Sequence, residues 1–272
     1  MLSKQQLLDI EKLQIECEEH DRIQLKLNWD MLSNRASEDL DFLLYKNNEL
    51  IAFLALYPFG STVEVCGMVK PSERRNKHFV TLFKQGMTVA KEKAFKKILL
   101  NSPASSREGK AFLSNCGAIY SFSEHQMVWE EQSIKIVDGF TLRHASKDDL
   151  DIRIRLSVEG FGLSKEDAAA MESRIESDQD SDMLMIDVDN KTVGKIRVKR
   201  ENNETWIYGF SILPEHRGKG LGRKVLNKIV KEQSQSGYSV HLEVETDNGL
   251  ALKLYESIGF KVVHAQDYYI YN

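Results

Sequence analysis

The stretch HRGKGLGRK, from His216 to Lys224, decides how the chain is read. It follows a strand-like run, Trp206 to Leu213, which Pro214 stops because proline brings no N–H to a ladder. After it, Leu221, Val225, Leu226, Ile229 and Val230 fall on one face of a helix closed by Gly237. Gly218, Gly220 and Gly222 thus stand at a strand-to-helix turn. With no side chains at alternate positions, the backbone can approach a ligand closely and take positive φ. The free N–H groups of the helix's first turn, with its dipole, make an anion site. Arg217, Lys219, Arg223 and Lys224 add positive charge, so a pyrophosphate or phosphoadenosine group suits this chemistry. It is not a Walker A loop, since G-x-x-x-x-G-K-[ST] is absent. Nor is it a dinucleotide fingerprint, because the third glycine would fall at Arg223.

The surrounding pattern is α/β. Phe140 to Arg143 alternates as a short strand, and Asp149 to Val158 and Lys165 to Ser177 are helical, with Ser164 and Asp167 resembling a capped start. Met183 to Val188 and Val193 to Arg200 form a hairpin across the turn DNK. Val240 to Val244 is a strand, and Gly249 to Ile258 is a helix closed by Gly259. Two last strands, Lys261 to His264 and Tyr268 to Tyr271, complete a βααβββαβαββ order with a mixed sheet.

The plan occurs twice. ELIAF at 49–53 precedes KTVGK at 191–195 by 142 residues, and KPSERRNKHF from Lys70 precedes LPEHRGKGLG from Leu213 by 143. AFLSNCGA from Ala111 precedes KLYESIGF from Lys253 by 142, as HQMVWE at 125–130 precedes DYYIYN at 267–272. Four segments in one order predict two domains of similar topology, 1–132 and 138–272, joined by EEQSIKIVDG at 130–139, a linker poorly patterned apart from Ile134 and Ile136.

Composition excludes several classes. Lys and Arg total 37 against 41 Asp and Glu in 272 residues, a net charge of −4, which argues against broad nucleic-acid binding. No apolar run approaches the roughly 18 residues of a membrane helix, and the start, MLSKQQLLDIEK, lacks a secretory h-region. Cys17, Cys66 and Cys116 are widely spaced, so neither a disulfide framework nor a thiolate zinc site is expected, and a cytoplasmic location is the default. His216, His241 and His264 lack metal-ligand spacing, and no metal is expected. No Ser-His-Asp arrangement can be recognised.

The second half resembles the GNAT superfamily of acyl-CoA-dependent N-acyltransferases. Its Gln/Arg-x-x-Gly-x-Gly/Ala signature is met by Arg217, Gly220 and Gly222. Its Asn-x-x-Ala-x-x-Leu-Tyr-x-x-x-Gly-Phe signature is met by Asn248, Ala251, Leu254, Tyr255, Gly259 and Phe260. LEVETDNGLALKLYESIGF looks like the branch that acetylates the N-terminal residue of ribosomal proteins. The resemblance is strong over 138–272 and worn over 1–132. It implies two tandem GNAT-like domains, each a mixed, mostly antiparallel sheet flanked by helices with a splayed central βαβ acyl-CoA cleft. By the same resemblance acetyl-CoA, as acyl-donor cosubstrate, lies between the strands ending at Leu213 and Val244. Its pantetheine arm would add to the backbone of Phe210, Ser211 and Ile212. Its pyrophosphate would sit on amides among Gly218, Lys219, Gly220, Leu221, Gly222 and Arg223, beside Arg217. Asn248 would hydrogen-bond the pantetheine or the neighbouring loop.

Acyl transfer from a thioester needs a neutral amine, a place for the oxyanion and a proton for the leaving thiolate. Tyr255 stands where the family places the leaving-group acid, and a phenol stays protonated at neutral pH. Glu243, twelve residues earlier, is the candidate base, with Glu204 and Glu245 as rivals. Backbone N–H groups near Ile212 would polarise the thioester carbonyl. Tyr268, Tyr269 and Tyr271 are read as core and rim residues that could meet the acceptor, and Phe161 as lining its mouth or packing.

The first half keeps the plan and loses the chemistry. Arg74 matches Arg217, but Lys77 replaces Gly220 and Phe79 replaces Gly222; Leu113, Asn101 and Ser106 replace Tyr255, Glu243 and Asn248. Side chains at the turn would block a pyrophosphate and leucine donates no proton, so a silent scaffold or acceptor-site wall is expected. The overall expectation is an N-acetyltransferase acting on a primary amine, a small molecule or a peptide N-terminus. The rival is a non-catalytic acyl-CoA-binding regulatory or interaction protein.

Overall fold

The computed structural model describes residues 1–35, 39–134, 138–178 and 180–272. The chain forms two compact units, Met1–Ser123 with His264–Asn272, and Glu124–Val263. The linker residues 135–137, Ile136 among them, lie outside the described residues, whereas Ile134 packs against the core of the second unit.

The first unit contains α1 (Lys4–Asp21), α2 (Trp29–Ser33), β1 (Asp41–Lys46), β2 (Glu49–Phe59), β3 (Thr62–Val69), α3 (His78–Glu92), β4 (Lys97–Pro103) and α4 (Arg107–Asn115), and the start of β5 (Ile119–Trp129). β2 pairs antiparallel with β1 and β3, and β3 pairs parallel with β4 through the α3 crossover. The unbroken apolar run from Leu50 to Tyr57 is what a strand covered on both faces needs. Leu54 and Leu56 meet Leu82, Phe83 and Met87 of α3 on one face. Phe53, Ala55 and Tyr57 meet Ile10, Leu13 and Cys17 of α1 on the other.

The second unit contains β6 (Thr141–His144), α5 (Leu150–Phe161), α6 (Lys165–Glu176), β7 (Ser181–Val188), β8 (Lys191–Glu201), β9 (Glu204–Ile212), α7 (Leu221–Gln235), β10 (Ser239–Glu245) and α8 (Gly249–Ser257), and the start of β11 (Phe260–Tyr271). β6 to β9 form an antiparallel meander, and β9 pairs parallel with β10 across α7. The α7 stripe read from the sequence, Val225, Leu226, Ile229 and Val230, is buried against Val193, Ile207, Leu242 and Val244. Both units are mixed sheets flanked by helices, as the tandem reading requires.

Each unit is completed by a strand from the other half of the sequence. Glu124–Val128 of β5 runs antiparallel to β10 in the second unit, and Gln266–Tyr271 of β11 runs antiparallel to β4 in the first.

One sequence expectation is corrected. The two closing strands are a single strand, Phe260–Tyr271. The polar residues that suggested a break are buried and bonded: the Gln266 amide donates to the Gln24 carbonyl (2.8 Å), and Asp267 accepts from Ser123 (2.6 Å). Asp267 also pairs with Lys110 (2.8 Å), whereas the Gln266 Oε1 stays buried without a partner among the described residues.

Candidate active site

The parallel pair at the centre of the second unit is split. β9 and β10 are in register only from Glu204↔Ser239 to Ile207↔Leu242. Immediately beyond, β9 is bulged: Lys195 faces Ser211 and Arg197 faces Tyr208, so two β9 residues oppose Ile196, and Gly209 takes φ +56°. A bulge bends its strand, which turns Phe210, Ser211 and Ile212 away from β10. Glu243 is the first β10 residue past the split, opposite Gln126 of β5.

The chain then makes a short 3-10 turn, Pro214–His216, and enters α7 through Gly218 (φ +72°) and Gly220 (φ +78°). No side chain caps α7 and its first turn has no acidic residue, so its leading N–H groups have only solvent or a ligand to satisfy them. The side chains of Arg217, Lys219, Arg223 and Lys224 bond backbone carbonyls of Ile212 and Glu159, Glu215, Ser257 and Asp138 respectively. None forms a salt bridge among the described residues, so their charge is left for an anion. Leu221 is buried in the core. Gly222 matters for packing, since a Cβ there would lie 3.3 Å from Leu254 and 3.6 Å from Ile212 and Phe210; α7 therefore seats closely on β9 and α8.

Tyr255 lies on α8, 8% exposed, edge-on to Phe260 (6.0 Å). Burial pushes its phenol up to about 12, so it is protonated at neutral pH. Its hydroxyl forms no hydrogen bond among the described residues, leaving a donor unused by the fold. The Asn248 Oδ1 is committed to capping α8 by accepting from the Ala251 amide (3.2 Å), which leaves its Nδ2 for another partner. Ser211 donates to the Leu156 carbonyl (3.0 Å) with Gly160 tight against its hydroxyl, so it offers the cleft only its backbone. Of the rival carboxylates, Glu204 accepts from the Trp206 indole (2.9 Å), and Glu245 closes β10 opposite Glu124. His241 stacks on Trp206 (5.0 Å), and burial lowers its imidazole pKa. Phe161 ends α5, 47% exposed. Tyr268, Tyr269 and Tyr271 belong to the first unit, where each packs on an aromatic ring.

One feature of this unit has no sequence signal. Lys195 of β8 bonds Ser157 of α5 and Glu172 of α6, and Arg153 of α5 donates to the same carboxylate (2.9 Å). Lys195 is 1% and Glu172 0% exposed. Burial pulls the Lys195 ammonium pKa down while Glu172 opposes it. The cluster ties both helices to β8 at the residue opposite Ser211. On a helix face, Glu172 reads as solvated, and only the packing of α6 makes it internal.

The first unit repeats the turn in backbone form. Arg75 (φ +67°) and Lys77 (φ +64°) stand where Gly218 and Gly220 do, and the Arg74 Nε donates to the Val69 carbonyl as Arg217 donates to Ile212. The size pattern between helix and strand is reversed. Phe79 of α3 covers Gly67 of β3, where a Cβ would lie 2.6 Å from its ring, whereas in the second unit Phe210 of β9 approaches Gly222 of α7.

The split parallel pair and the uncapped glycine turn are the features that the resemblance to GNAT-type acyltransferases implies. Residues 143–269 match the model of an acetyltransferase (GNAT) domain, and the chain carries a domain of that family. Over 57 residues it is 39% identical to the N-alpha-acetyltransferase RimI of Mycobacterium tuberculosis, covering 21% of this chain and 35% of that protein. A GCN5-related N-acetyltransferase from Sphaerobacter thermophilus shares the fold at TM-score 0.77 and 18% identity, over 97% of this chain and 91% of that one. A tandem GNAT protein from the clavulanic acid biosynthesis pathway does so at TM-score 0.73 and 14% identity, over 100% and 96%. The curated relatives are matched over less than half of their own length. Among the described residues no helix is long and apolar enough to cross a membrane.

Proposed function

We propose that the second unit is an acetyl-CoA-dependent N-acetyltransferase of the cytoplasm that acts on a primary amine. The observation that carries this reading is the uncapped α7 N-terminus, with its four cations unmatched by carboxylates, at the open end of the β9–β10 split. The diphosphate of acetyl-CoA would neutralise those amides and charges, and the pantetheine arm would pair with the backbone of Phe210–Ile212 as an added strand. Arg217 holds the turn to the end of β9, fixing the amides in place.

The amine, freed of its extra proton by Glu243 directly or through water, attacks the thioester carbon. The C–N bond forms, the C–S bond breaks, and the thiolate leaves toward the Tyr255 hydroxyl. With its pKa raised to about 12, Tyr255 stays a donor throughout the physiological range and supplies its hydrogen to the developing thiolate. The new amide nitrogen sheds its second proton, which reprotonates the Tyr255 phenolate directly or through water, and Glu243 returns its proton to solvent. Amides near Ile212 are placed to polarise the thioester carbonyl. No acyl-enzyme is needed.

The acceptor is an amine of either a small molecule or a peptide N-terminus. Incubating the purified chain with acetyl-CoA and a panel of amines, amino acids and N-terminal peptides should release free CoA with at least one acceptor, with the acetyl amide found by mass spectrometry. Tight acetyl-CoA binding with no release across the panel would instead favour a binding protein without turnover.

A further inference from the structure

The first unit, whose turn carries lysine and phenylalanine in place of glycine, holds a cavity of about 410 Å³ where β3 and β4 separate. Their parallel register ends at Val65↔Leu100, and the space beyond is walled largely by Val65, Phe79, Phe83, Phe112 and Leu113. That volume is within the range of small-molecule sites, which are mostly apolar with a few placed polar groups. One such group is Asn101: both of its side-chain amide atoms are sealed from solvent without a hydrogen-bond partner, and it lines the cavity. An unmet buried amide destabilises the fold, so it signals a missing partner that offers both a donor and an acceptor. Asn101 and Leu113 stand where the second unit has Glu243 and Tyr255, so neither of these two positions supplies a base or an acid here.

The polar lining is asymmetric. Arg75 and Lys77 are exposed, line the cavity and have no ion pair among the described residues. Both keep a left-handed backbone that costs a residue with a side chain energy. They lead into α3, which has no side-chain cap and no acidic residue in its first turn. Of the carboxylates in the lining, Asp21 is held by Arg74 (2.6 Å) and Glu73 by Lys46 (2.8 Å), while Glu108 lies in the first turn of α4.

We infer that this cleft binds a second ligand: an amphipathic anion with an apolar chain, a secondary amide in that chain and one carboxylate or monophosphate head. The chain fills the aromatic wall, the amide completes Asn101, and the head meets Arg75, Lys77 and the α3 amides. Phe79 on Gly67 takes up space at the turn and disfavours a coenzyme diphosphate.

The test is calorimetric titration of the full chain with N-octanoylglycine and with N-octanoyl-O-phosphoethanolamine, each carrying all three features and differing in the head. The expected result is one equivalent of at least one probe per chain. Asn101→Leu should weaken it at least tenfold while raising the melting temperature of the free protein, because an orphaned amide is removed. A merely structural asparagine would lower both. Arg75→Ala with Lys77→Ala should weaken binding at least fivefold and flatten its salt dependence. Millimolar probes that do not bind, binding indifferent to Asn101→Leu, or displacement of the probe by stoichiometric acetyl-CoA would each overturn the proposal. The last outcome would make the cleft a second coenzyme site and leave the reading of the other unit standing.

Discussion

Tyr255→Phe lowers turnover by about 10²–10⁴-fold, the usual contribution of a positioned acid, and leaves acetyl-CoA affinity within about a factor of two. The substitution removes one oxygen from a ring that packs in the core beside Phe260. Because that hydroxyl bonds nothing among the described residues, no structural hydrogen bond there is lost and stability should hold or rise slightly. Removing an interaction made only as the thiolate develops lowers kcat and kcat/KM together. Pre-steady-state measurement of CoA release against acetyl-CoA affinity separates the two effects. A variant with full turnover would remove Tyr255 from the mechanism and leave the thiolate to solvent.

Glu172→Ala destabilises the second unit by about 3–5 kcal/mol, the cost of breaking a buried ion pair from one side. It strips Lys195 and Arg153 of their shared carboxylate at a site sealed from water. Replacing Glu172, Lys195 and Arg153 together by methionine should recover most of that loss, because apolar groups of similar volume need no counter-charge. Urea unfolding followed by tryptophan fluorescence reads both variants, since Trp206 lies in this unit and stacks on Tyr208 (6.2 Å). A small loss in Glu172→Ala would mean that water reaches the cluster. The methionine variant also tests whether the cluster positions α5 and α6: if so, KM for the amine rises while acetyl-CoA affinity is retained.

Much of the second unit could be read from the sequence because its signals are local. The α7 stripe, the glycine turn and the stop at Pro214 each lie within a few residues of what they determine. The repeat was equally readable, and it extends to the backbone: Arg75 and Lys77 share the left-handed φ of Gly218 and Gly220. The exchange of closing strands was not. HQMVWE and DYYIYN are both short apolar and aromatic runs with polar ends at an offset of 142, so either could complete either sheet by local preference. Long-range pairing decided it, with β5 on β10 and β11 on β4. The closing strand was read as two because the partners of Gln266 and Asp267, namely Gln24, Ser123 and Lys110, are far away in sequence. The same blindness hid Glu172. For the candidate site, residue types and spacing were legible, whereas the Gly209 bulge, the Asn248 cap and the helix packing at Gly222 emerged only in three dimensions.

The most direct test is a crystal structure of the full chain with acetyl-CoA. The diphosphate should lie on the backbone amides between Arg217 and Arg223, with the pantetheine along Phe210–Ile212 and the sulfur within hydrogen-bond reach of Tyr255. A coenzyme bound elsewhere in the chain, or one whose diphosphate leaves those amides in water, would contradict the account.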